Sequence, residues 1–144
     1  EARTCYDHLA GRLGVGLYGA LVDADALVPT GEVRGDVRLG PAASVVFGAL
    51  GIDPEAVAAG AGRRRFAFAC PDWTERLPHL GGALGGAVRE RCFEEGWVRR
   101  PEDTRAVGLT GGGERALRER LGLRISRAIG PDRPADDTGE GERS

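Results

Sequence analysis

The feature that most restricts this chain is an internal repeat. His8-Leu9-Ala10-Gly11-Arg12-Leu13-Gly14 returns as His79-Leu80-Gly81-Gly82-Ala83-Leu84-Gly85, an offset of 71. Further on, Leu17 matches Val88, Leu21 matches Cys92 and Val22 matches Phe93. After one deleted residue, Leu27-Val28 matches Trp97-Val98 and Val37-Arg38-Leu39 matches Val107-Gly108-Leu109, at an offset of 70. The offset returns to 71 where Leu50-Gly51-Ile52 matches Leu121-Gly122-Leu123. The ordered series reads as a duplicated unit of about 45 residues, too small to bury its apolar face alone. Both copies must then share a core.

Each unit reads helix, short hairpin, helix. Leu9, Leu13, Leu17 and Leu21 recur every four residues, as the buried face of an amphipathic helix does, and Leu80, Leu84, Val88 and Cys92 are their counterparts. The first hairpin pairs residues near 27–29 with 36–39 across Gly31 and Gly35; the second pairs 97–100 with 105–109 around Pro101-Glu102-Asp103. Helices follow near 41–50 and 111–121, with Pro41 in a first turn and Thr110 as an N-cap. Between the units lie a short helix near 54–60 and a strand at Phe66–Cys70 crossing between the halves.

The expected fold is α+β and mainly helical, with two pseudo-duplicated winged-helix-like units packed on a shared core. Residues 1–53 form the first unit, 54–71 the connecting helix and strand, 72–127 the second unit and 128–144 a disordered acidic tail. Neither unit has room for a recognition helix, because Leu13-Gly14 leads within about thirteen residues to the first wing strand.

Composition narrows the function. With 41% hydrophobic and 29% charged residues, the 144-residue chain is expected to be globular. It shows no signal peptide, and no apolar run approaches the roughly 18 residues of a membrane span, so a cytoplasmic setting is expected. All twenty basic residues are arginine, and Lys, Met, Asn and Gln are absent, a bias of GC-rich coding. The start at Glu1 points to a piece of a longer protein. The net charge of −2 divides into −3 over residues 1–75, +4 over 76–127 and −3 over 128–144, so only the middle segment attracts an anionic partner. Three cysteines make no disulfide framework.

Arg3-Thr4-Cys5-Tyr6-Asp7-His8-Leu9-Ala10-Gly11, together with Cys70-Pro71-Asp72-Trp73-Thr74-Glu75-Arg76 and Pro78-His79-Leu80, carries a family likeness. Over residues 2–123 the chain resembles the C-terminal half of a group of ArsR-type (arsenic-repressor-like) winged-helix transcriptional regulators. The chain departs from that group's Thr-Pro-Ala-Gly-like helix starts, having Gly40-Pro41-Ala42-Ala43 and Thr110-Gly111-Gly112-Gly113; the three glycines should weaken the second closing helix. The resemblance implies a regulatory or dimerisation region, effector-responsive and homodimeric. It implies that DNA is read by an N-terminal winged helix not contained in this chain. The alternative is a stand-alone DNA-binding winged-helix module using the arginine-rich second wing.

Candidate chemistry is sparse. Cys5 and His8, three apart on the expected helix, project from one face, and Cys70 and His79 recur before the second unit. If the halves converge, these four make a site for zinc or another soft metal, with Asp7, Asp72 and Glu75 orienting the ligands. The competing reading buries the cysteines and hydrogen-bonds the histidines to backbone or to Asp7 and Asp72. A thiol switch would need an accessible thiolate, and Cys92 lies on the core stripe. Gly11-x-x-Gly14-x-Gly16 is no dinucleotide fingerprint, being set inside a helical repeat, and no nucleophile elbow or P-loop occurs; the reading is not an enzyme. Arg63–Arg65 and Arg99, Arg100 and Arg105 either contact phosphates or form a solvated face offset by Glu94, Glu95, Glu102 and Asp103. Trp73, Trp97, Phe66 and Phe68 either anchor packing or line an effector pocket where the repeats meet.

Overall fold

Leu13, Leu17 and Leu21 do fall on one face of a helix, α1 (Gly11–Asp23), and all three are buried. Leaving water contributes about 2 kcal/mol for each leucine. The computed structural model describes residues 2–5, 8–72, 77–100 and 107–123, with 2–5 and 8–10 given by their backbone alone. Residues beyond 123, and with them the expected tail, lie outside the described residues.

The first helix begins later than its leucine spacing predicts. Ala2–Cys5 (β1) and His8–Ala10 (β2) form an antiparallel hairpin in which Cys5 stands opposite His8. These two residues therefore share a strand pair and not a helical face. The reason is Gly11, whose φ of 71° lies in the left-handed region and stops a helix from extending backwards through it. Leu9 belongs to a strand, and so does its counterpart Leu80.

The chain then runs through β3 (Leu27–Pro29) and β4 (Val37–Leu39), paired as the first wing, into α2 (Ala43–Ala49) and α3 (Pro54–Gly60). Pro41 lies in a turn ahead of α2 and not in its first turn. Asp53 caps α3 by accepting from Glu55 N and Ala56 N, and Pro54 occupies the first helical position.

A second hairpin follows, β5 (Phe68–Pro71) with β6 (Pro78–Gly81), placing Cys70 opposite His79. Then come α4 (Gly82–Glu94), the wing strands β7 (Val98–Arg99) and β8 (Gly108–Leu109), and α5 (Gly111–Leu121). The described residues thus make an α+β fold of five helices and small two-stranded antiparallel sheets.

Backbone turns repeat with the sequence. Gly11 and Gly82, Asp25 and Gly96, and Gly51 and Gly122 all adopt positive φ, each pair 71 apart. Ala26 N donates to Leu21 O and Trp97 N to Cys92 O in the matching turns. In these turns Ala26, not Leu27, stands where Trp97 does. Sequence matching set Leu27 against Trp97 because both are large and apolar, while the turn before each wing strand has the same length.

Thr110 caps α5 as expected, its Oγ1 accepting from Gly113 N at 2.9 Å. Gly113 is more than a weak helix former. A Cβ there would lie 2.0 Å from Trp97 O, so the helix can approach the wing only without a side chain. Residues of both halves form one core, with Leu13, Leu17, Leu21, Phe47 and Leu50 joined to Leu84, Val88, Cys92, Trp97 and Leu117. The first hairpin's β2 packs on α4, the second hairpin's β6 packs on α1, and β2 lies against β6.

Candidate functional site: a buried carboxylate and the cleft beside it

The β5 strand places Asp72 directly after it, and its side chain is fully buried. A buried carboxylate needs hydrogen-bond donors. Gly11 N, the first amide of α1, donates to Asp72 Oδ2 at 2.6 Å. His79 Nδ1 lies 3.1 Å from the same oxygen. With Asp72 ionised, the carboxylate only accepts and the matching His79 tautomer carries its proton on Nδ1. Asp72 thus ties the start of α1 to the second hairpin, across 61 residues of sequence.

This corrects the expectation that the glycines from Gly11 are set inside a helical repeat. The glycines from Gly11 do follow a strand and open a helix, yet the place where a phosphate would sit at that helix start holds the chain's own carboxylate. At α4 the same task falls to backbone, with Ala83 N and Leu84 N donating to the carbonyls of Arg65 and Phe66.

Of the expected metal ligands, Cys70 and His79 are buried cross-strand neighbours, and the Cys70 thiol lies 3.8 Å from the Pro71 carbonyl oxygen. Cys5 and His8 are described by backbone only. Asp7 and Glu75 lie outside the described residues, as do Trp73 and Arg105. Among the described residues no group of three or more His, Cys, Asp and Glu side chains is disposed to hold a metal ion. Cys92 is 2% exposed, and burial pushes its thiol up to about 12 from an ordinary 9.0, which leaves it an inert core residue.

Several arginines serve the fold. Arg65 pairs with Asp36, donates to Arg34 O and stacks on Phe68. Arg91 donates to Gly51 O at 2.7 Å, and Arg120 donates to Ala49 O at 2.9 Å while lying over Trp97. The last two satisfy carbonyls at the end of α2, where the helix dipole favours a cation. Part of the positive middle segment is thus consumed within the molecule. Arg99 is exposed on β7, and Arg100 lies 5.9 Å from the Phe93 ring.

Helices α2 and α3 meet at 91° across a four-residue break containing Gly51. The angle is that of a helix-turn-helix. Helix α3, however, has seven residues of which Glu55 is the one charged member, so it offers phosphates and bases no basic group.

A cleft of about 760 Å³ opens between α1, the first wing and the second hairpin. Val15, Tyr18, Val22, Pro29, Ala69 and Pro78 line it, and Asp72 closes one side. Phe66, Phe68 and Trp97 are not among its described walls. They serve packing instead, Phe68 lying under Gly81 where a Cβ would be 2.7 Å from the ring. The cleft was not legible in the sequence, since its walls come from residues 15–33 and 69–78, which no local pattern joins. Nor was the Gly11–Asp72 bond.

No family model matches the chain, and no solved structure does. Among curated proteins, an uncharacterized HTH-type transcriptional regulator, YdfF of Bacillus subtilis (strain 168), is 40% identical over 124 residues. The chain is similar to a transcriptional regulator. That match covers 86% of this chain and 53% of the relative, so the chain spans about half the relative's length. No single helix among the described residues is long and apolar enough to cross a membrane.

Proposed function

We propose that this chain is the regulatory and dimerisation region of an ArsR-like bacterial transcriptional regulator, acting in the cytoplasm with a DNA-binding winged helix carried elsewhere in the protein. The similarity to an HTH-type regulator over 124 residues carries this reading. The matching turns 71 residues apart support a duplicated, wing-bearing origin for the two halves. The mechanism is a shift in population, an effector in the cleft favouring one arrangement of a homodimer and thereby its affinity for DNA. The test is an operator-binding assay on the longer protein, with effector candidates added. Unchanged DNA affinity in every cleft-filled or cleft-emptied variant would overturn the effector role.

The alternative is direct DNA binding through the second wing by Arg99, Arg100 and Arg105, of which Arg99 is exposed on β7. It predicts salt-dependent binding by this chain alone, and none at low salt would exclude it.

A second reading retains zinc or another soft metal at Cys5, His8, Cys70 and His79. It is favoured by the two Cys–His cross-strand pairs on adjacent hairpins and by the Asp72–His79 bond, the pairing that orients metal-ligating imidazoles. Elemental analysis of the reduced protein beside Cys70→Ser tests it. One equivalent lost in the variant supports the site; no metal and no uptake on titration removes it.

A further inference from the structure

We infer that the cleft takes a lipophilic organic cation, such as a hydrophobic amine or quaternary onium ion. The inference rests on the effector reading above and names its ligand class. The walls are apolar: Val15, Val22, Pro29 and Pro78, flanked by the exposed Val33 and Leu77. Every charged residue among the described lining is acidic, Asp23 and Glu32 at the rim and Asp72 inside. Asp72 is occupied by Gly11 and His79, but neither Asp23 nor Glu32 has a described cationic partner.

Asp23 is also the last residue of α1, a helix with no basic residue in its last turn. The negative end of the helix dipole and the carboxylate therefore add at one place on the rim. Nothing in the helix rewards an acid there, so its position favours a cation from outside. Tyr18 adds an aromatic ring, which cations favour. The volume of about 760 Å³ suits a drug-sized molecule. Among the described lining the charged groups an anion would meet are all carboxylates, and a small hydrophilic cation would leave the apolar walls wet. A ligand both greasy and positive satisfies both features.

The test uses two ions of nearly the same shape and opposite charge, tetraphenylphosphonium and tetraphenylborate, titrated into the purified chain by calorimetry. The expected result is saturable binding of the phosphonium, on the order of tenfold tighter than the borate. Asp23→Asn with Glu32→Gln should reduce that preference several-fold without loss of folding, since both side chains are exposed. Gly19→Leu should abolish binding by filling the cleft; Gly19 lines it, a Cβ there meets nothing within 4 Å, and an unchanged thermal transition checks that the variant folds. Equal or tighter binding of the borate overturns the ligand class while leaving an effector site, whose own test is the operator assay. No binding of either ion, or binding indifferent to Gly19→Leu, overturns the assignment. So does a dimer in ultracentrifugation that Val33→Asp dissociates and the phosphonium does not, because a second copy then owns the surface.

Discussion

Asp72 shows how much one side chain can hold. Its Oδ2 accepts from Gly11 N and from His79 Nδ1 in a fully buried setting. Asp72→Ala removes a charged acceptor from two buried donors and should cost about 3 kcal/mol in urea denaturation. Asp72→Asn, which keeps one carbonyl oxygen in place, should cost less. Cys92 makes a different prediction, in pH. Its thiol titrates near 12 in the folded state and near 9.0 in the unfolded one, so the unfolded chain loses the proton first. Stability is complete below pH 9 and falls as pH rises toward 12, by on the order of 4 kcal/mol across the window. The buried Tyr18 phenol, also raised, adds a loss of the same sign above pH 10. Cys92→Ala should flatten the pH dependence that begins near 9, measured as denaturation midpoint against pH.

At the scale of elements, glycines of the same composition class do opposite work. Gly19 sits inside α1 with open space where a Cβ would be, so Gly19→Ala should stabilise by about 1 kcal/mol. Gly113 sits in the first turn of α5 against the Trp97 carbonyl, and Gly113→Ala should destabilise by about 2 kcal/mol or more as helix and wing are forced apart. Thermal melts of the two variants should therefore move in opposite directions. The wings and closing helices were legible because turns, apolar pairs and the Thr110 cap are local signals. The helix start at Gly11 was not, since leucines at four-residue spacing continue through a strand as readily as through a helix. Only the left-handed glycine breaks the reading.

For the whole molecule, the contacts between halves are crossed. The first hairpin packs on the second long helix, and the second hairpin packs on the first. Arg91 and Arg120 of the second half also close the end of α2 in the first. Neither half should fold alone. Residues 1–61 and 62–144 expressed separately should show no cooperative thermal transition, while the two mixed should regain one. A cooperative melt of either fragment would show that the crossed packing is dispensable.

The sequence by itself determined the repeat, the wings, the closing helices and the burial of Leu13, Leu17, Leu21 and Cys92. Those depend on periodicity and on turn chemistry, which act over a few residues. Only the tertiary structure decided that Cys5 and His8 face each other across a hairpin, that Asp72 caps α1, and that α1, the first wing and the second hairpin enclose an apolar cleft with an acidic rim. The Cys5–His8 pairing turns on the left-handed Gly11 close by, whereas the Asp72 cap and the cleft join segments about 40 to 60 residues apart, set by which surfaces bury best against each other, and no local pattern encodes that choice.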